Sequence, residues 1–113
     1  MHEFGIAESI LAAALDAAHA NRAQRVVAVR VRIGGLSGVV EEALAFAFDA
    51  LKENTPAQGA RLDVEPEPVR CYCASCSAEF VAAPLQYRCP TCGALSDDIR
   101  GGRELNLVSI EVT

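Results

Sequence analysis

The stretch CYCASCSAEFVAAPLQYRCPTCG, running from Cys71 to Gly93, carries two C-x2-C pairs, Cys73/Cys76 and Cys89/Cys92, with twelve residues between them. Two residues between paired thiolates let both sulfurs reach one cation from a tight turn, and a second such knuckle completes the tetrahedron that Zn2+ accepts at about 2.3 Å per sulfur. The spacing therefore predicts a zinc ribbon. Four protein thiolates leave no position for water or substrate, so the ion should hold a fold together rather than do chemistry. Two disulfides would need an oxidising compartment, and a redox C-x-x-C needs a single pair at a helix start after a strand. Cys71 stands two residues before Cys73. On an extended strand both thiols face one side, so Cys71 is either a small apolar filler or a competitor for zinc when the site rearranges.

Upstream of the ribbon the hydrophobic period changes twice. From about Phe4 to Asn21, Ala7, Ile10, Leu11, Ala14, Leu15 and Ala18 follow the i, i+3, i+4, i+7 spacing of an amphipathic helix. Arg25 to Ile33 then alternates, with Val27, Val29, Val31 and Ile33 on one face and Arg30 and Arg32 on the other, and Gly34-Gly35 ends this strand. Ser37 is read as the N-cap of a second helix that buries Val40, Leu44, Ala47, Phe48 and Leu51, leaves Glu41, Glu42 and Lys52 outside, and stops at Pro56 and Gly59. A short strand through Leu62 and Val64 runs into Pro66-Glu67-Pro68, a stiff connector marking a lobe boundary.

Downstream, after Gly101-Gly102, residues Glu104 to Val112 are strand-like, though the apolar residues switch faces between Leu107 and Val108, as a bulge would make them do. This terminal segment has no core of its own and should return to the N-terminal strands. The expectation is an α+β fold: a small mixed β-sheet with two helices, built from 1–68 and 101–113, with a zinc-ribbon lobe inserted at 69–100.

With 113 residues, half of them hydrophobic, the chain has room for one domain or two small lobes. A net charge of -5 argues against a general nucleic-acid footprint, which shows as a basic patch. No apolar run reaches the roughly 18 to 20 residues of a membrane span, and a signal peptide's basic and apolar regions are missing, so a cytoplasmic protein with reduced thiols is expected. Gly34, Gly35 and Gly38 do not make a phosphate loop, since its lysine is absent. His19 ends the first helix, where the dipole explains it. Nothing here marks an enzyme.

The N-terminus is the second informative place. In Met1-His2-Glu3 the α-amine, the His2 amide nitrogen and the His2 ring nitrogen can close adjacent five- and six-membered chelate rings, a planar nitrogen set of the kind Ni(II) and Cu(II) prefer. Taken alone this signal is weak, and an exposed or cap-forming histidine is the more ordinary explanation.

Met1-His2-Glu3 followed by an amphipathic helix, an Ile33-Gly34-Gly35 turn, a second helix and the C-Y-C-x2-C…C-P-x-C-G ribbon resembles the HypA/HybF hydrogenase maturation factors over essentially the whole chain. The resemblance implies a nickel metallochaperone. It implies nickel ligation by Met1, His2 and Glu3, and structural zinc at Cys73, Cys76, Cys89 and Cys92. It further implies a HypB-like nickel-loading GTPase and the large subunit of nickel-iron hydrogenase as partners, with urease a client in some organisms. A weak homodimer is also compatible with it. Val40 stands where relatives often carry an acid that completes the nickel site; Glu41 or Glu42 could replace it through a small register shift, but Val40 fits the buried stripe, so the two carboxylates are read as a solvated helix face and the fourth ligand is left open. The alternative function is a zinc-ribbon adapter for protein or nucleic acid with no nickel role, which would bind its partner unchanged when His2 is replaced.

Overall fold

The computed structural model describes residues 2–83 and 85–113. Its elements in chain order are α1 (Glu3–Ala20), β1 (Val26–Gly34), α2 (Glu41–Leu51), β2 (Arg61–Glu67), β3 (Arg70–Cys73), β4 (Ala78–Val81), β5 (Ile99–Gly101) and β6 (Leu105–Val112). They form two three-stranded sheets, in the orders β2-β1-β6 and β4-β3-β5. The chain divides into two compact units, one of residues 1–32, 38–65 and 106–113 and one of 33–37 and 66–105. Among the described residues, no helix is long and apolar enough to cross a membrane.

In the first unit, α1 buries the stripe the spacing demands, Ala7, Ile10, Leu11, Ala14 and Ala18. Against it α2 sets Leu44, Ala47 and Phe48. Val29 and Val31 of β1 are fully buried, as are Leu44 and Phe48 of α2. Burying each large side chain of this set stabilises the fold by about 1.5–3 kcal/mol before conformational entropy is charged against it. Val26 and Ala28 are buried as well, so β1 departs from a strict one-faced alternation.

Hydrogen bonds give the strand directions. Gln24 and Arg25 donate to the Thr113 carbonyl at the start of β1, and Gly34 donates to the Glu104 carbonyl at its end, so β6 runs antiparallel to β1. Arg32 pairs with Glu65, and Gly35 donates to the Glu67 carbonyl, so β2 runs parallel to β1, joined through α2. The sheet is therefore mixed. In β6 the half-buried residues are Leu107 and Ile110, three apart, and that odd spacing means the strand changes the face it buries between them.

The second helix differs from its sequence reading in three ways. Ser37 does not cap it; its amide donates to the Gly34 carbonyl in the preceding turn, and Val40 holds the cap position without a side-chain cap bond. Val40 is not part of the buried stripe but 58% exposed, because the helix begins only at Glu41 and the turn before it carries Val40 outward. Lys52 is not outside: its side chain is 16% exposed, pairing with Asp49, donating to the Ala60 carbonyl and lying over the Phe48 ring. Its stem covers apolar surface while the ammonium finds oxygen partners. The connector at Pro66 likewise proves to be strand, β2 continuing through Glu67, since an edge strand tolerates proline.

Candidate metal centre

All four paired cysteines sit in the second unit, and local backbone chemistry puts them there. Cys73 closes β3, opposite Ala78 in the β3–β4 ladder, so Cys76 falls in the hairpin turn, where Ser77 takes a positive φ of 51°. The second knuckle is a tight turn. The Cys89 amide donates to the Ala94 carbonyl at 2.9 Å, the Gly93 amide donates back to Cys89 at 2.8 Å, and Gly93 has the φ of +78° that favours glycine. A lone antiparallel bridge between Arg88 and Leu95 holds its base. Ser96 ties the two knuckles together: its hydroxyl donates to the Tyr72 carbonyl at 2.6 Å, while the Tyr72 amide donates to Asp98 at 2.8 Å.

These turns bring the sulfurs of Cys73, Cys76, Cys89 and Cys92 within 4.8 Å of one another. Cys73 and Cys92 are 3.6 Å apart, and Cys76 and Cys89 are 3.9 Å apart. Four sulfurs placed 2.3 Å from a tetrahedral ion would be separated by about 3.8 Å, whereas a disulfide needs about 2.05 Å. The donor set thus fits one soft tetrahedral cation, with zinc a match in both chemistry and size. The thiols are unequal before metal enters. Amide N–H groups of Cys92 and Thr91 stabilise the Cys89 thiolate and lower it to about 6. Proton sharing with Cys92, Cys73 and Cys89 pushes Cys76 up to about 12. A cation arriving here meets Cys89 ready and must displace protons elsewhere.

Cys71 lies apart from this group. It is fully buried, its Cα opposite Phe80 and Ile99, and burial raises its thiol above the ordinary value.

The N-terminal candidates lie in the first unit. Met1 falls outside the described residues. His2 is exposed at the N-cap position of α1, its carbonyl accepting the Ile6 amide at 3.0 Å. Glu3 opens the helix, and its carboxylate accepts the Val40 amide at 3.1 Å, a bond that holds the carboxyl below its ordinary value. Sequence reasoning missed this contact because it joins residues 37 apart, although the role resembles that of a capping-box glutamate reaching a cap amide from within one helix. Glu41 and Glu42 are exposed in the first turn of α2.

Comparison with known proteins now bears on these two sites. A model of the family described as "Hydrogenase/urease nickel incorporation, metallochaperone, hypA" matches residues 1–112. The hydrogenase maturation factor HypA of a Picosynechococcus strain is 46% identical over 112 residues, covering 99% of each chain. Its counterpart in Chloroflexus aurantiacus is 45% identical over 98% of each. The solution structure of the nickel metallochaperone HypA from Helicobacter pylori superposes with a TM-score of 0.70 at 30% identity, covering 99% of this chain and 97% of that one. With the family match spanning both the His2-Glu3 head of α1 and the four-sulfur cluster, the chain belongs to the HypA family of nickel-incorporation metallochaperones.

Proposed function

We propose that the chain binds Ni(II) through Met1, His2 and Glu3 and, with a HypB-like GTPase, delivers it to the large subunit of nickel-iron hydrogenase, while Cys73, Cys76, Cys89 and Cys92 hold a structural zinc. The observation that carries the reading is the exposed His2, beside a half-buried Glu3, at the start of α1 in a chain matched over residues 1–112 by a nickel-incorporation family. The two metal sites are kept distinct by donor chemistry. A zinc ion on four thiolates would cross-link the two knuckles, and it would leave no open position for cargo. The α-amine, His2 amide nitrogen and imidazole form a planar nitrogen set, open on one side for Glu3's backbone nitrogen.

Cargo must also leave. Protons compete with the metal for nitrogen ligands, so nickel affinity falls as the solution is acidified. The Glu3 carboxylate, bonded to the Val40 amide, fixes the start of α1 from which the arm extends. Nucleotide hydrolysis belongs to the partner, since this chain has no phosphate-loop lysine among its glycine turns.

The test is a nickel titration of zinc-loaded protein. Wild type should bind one nickel per chain; His2→Ala should lose it while keeping zinc and fold, and one residue added before Met1 should hurt almost as much by turning the amine into an amide. Wild-type nickel affinity in His2→Ala would end the assignment.

A further inference from the structure

The ten lysines and arginines of this chain are distributed unevenly: α1 and α2 contain none, while carrying Glu3, Glu8, Asp16, Glu41, Glu42 and Asp49. Within this acidic layer lies an apolar cluster. Phe46 is 69% exposed and Phe4 51%, yet their rings meet edge to face with centroids 6.5 Å apart. Exposed Val40 is tethered to the same helix end, its amide donating to the carboxylate of Glu3, the residue preceding Phe4. Helical spacing puts an acid beside each ring, Glu8 one turn after Phe4 and Glu42 one turn before Phe46, while Asp49 on the far side of Phe46 is paired with Lys52. Single exposed apolar residues are ordinary, but two aromatics and a valine held together, rimmed by one sign of charge, have the composition of a binding surface.

That charge narrows the occupant. A second copy using the same face would set these carboxylates against themselves, and anionic lipid or nucleic acid would be repelled in the same way. We propose that the Phe4–Val40–Phe46 cluster is the anchor for a partner protein presenting an apolar socket with a lysine and arginine rim. The acidic helices steer that partner to the exposed His2 end of α1, and the aromatic pair supplies the contact that holds it. This rests on the reading of the chain as the companion of a nickel-loading GTPase, and it adds which side chains that companion grips and the charge it must carry.

The experiment measures binding of the zinc-loaded full chain to the nickel-loading GTPase at about 50 mM and about 300 mM NaCl, where screening differs strongly. Phe46→Ala should raise the dissociation constant about tenfold or more, as truncation of a central aromatic anchor does, with its nickel titration unchanged. A Glu41→Lys, Glu42→Lys pair should slow association and flatten its salt dependence; Leu95→Ala, an exposed apolar residue of the other unit, should change neither. Wild-type binding by both Phe46→Ala and the charge-reversed pair would overturn the proposal while leaving the GTPase partnership intact. A wild-type chain that binds nickel but no GTPase would remove the partnership itself, and this surface with it. Self-association lost in Phe46→Ala would overturn it in favour of an interface between copies.

Discussion

Gly34→Ala should destabilise the protein by about 3–5 kcal/mol, although it adds one methyl group. The chain folds closely here: a Cβ on Gly34 would overlap the carbonyl carbon and oxygen of Gly102, with the Arg103 nitrogen 2.7 Å away. All three are backbone atoms, so no rotamer change relieves the clash. Separating the segments would also stretch two hydrogen bonds, from the Gly34 amide to Glu104 at 2.7 Å and from the Leu36 amide to Gly102 at 2.6 Å. About 1 kcal/mol for each bond, added to about 1–3 kcal/mol for overpacking, gives the figure. Against a total stability of about 5–15 kcal/mol, it is a large loss. Gly35→Ala is the control, because its Cβ would press only on the Val69 Cγ2 at 3.2 Å, the end of a side chain, and would meet the Glu67 carbonyl oxygen at an ordinary 3.8 Å. Surface-like changes of that kind usually stay below about 1 kcal/mol. Urea unfolding of the two zinc-loaded variants measures the difference, and a Gly34→Ala midpoint equal to that of Gly35→Ala would refute the argument.

Cys71→Ser should retain one zinc per chain by metal analysis while losing about 1–3 kcal/mol of stability for a hydroxyl placed in an apolar burial site, whereas Cys92→Ser should lose the zinc. Glu3 carries a depressed folded value, so its bond to Val40 is fully present above the unfolded glutamate value and disappears as pH falls through the lower folded one. The Val40 amide shift followed by NMR should therefore titrate with a midpoint below about 4.3, and Glu3→Gln should abolish that titration. Gly5→Ala should raise stability by up to about 1 kcal/mol in thermal unfolding, since a Cβ there meets nothing within 4 Å and glycine weakens a helix.

The features legible in the sequence were those set by short-range rules. The stripe of Ala7, Ile10, Leu11, Ala14 and Ala18, the alternation of β1 and the knuckle spacing each depend on residues a few positions apart, and the helix, strand and sulfur cluster appear where those rules put them. The return of β6 to β1 was legible for another reason, that a strand without a core must find one. What escaped depends on tertiary geometry. Val40 had the right spacing for burial, but the turn from Gly34 through Gly38 starts α2 late and turns it outward. Lys52 reads as solvated until Phe48 and the Ala60 carbonyl lie beneath it. The Glu3–Val40 bond and the Ser96 bridge join distant segments through single polar atoms, and no local pattern announces either.

The start of α1 has one more consequence. Its first helical hydrogen bond runs from Ile6 to the His2 carbonyl, so the amide nitrogens of Glu3, Phe4 and Gly5 lie before the helical ladder begins and carry the positive end of the helix macrodipole. Nickel bound at His2 and the Glu3 nitrogen would take a nitrogen that the helix does not need, so capture would not unwind α1. The same dipole opposes a cation by about 0.3–1 kcal/mol per unit charge, roughly a twofold to fivefold weakening. At the proposed nickel site, a helix end that spares a donor while pushing gently against the ion would favour loading and release alike.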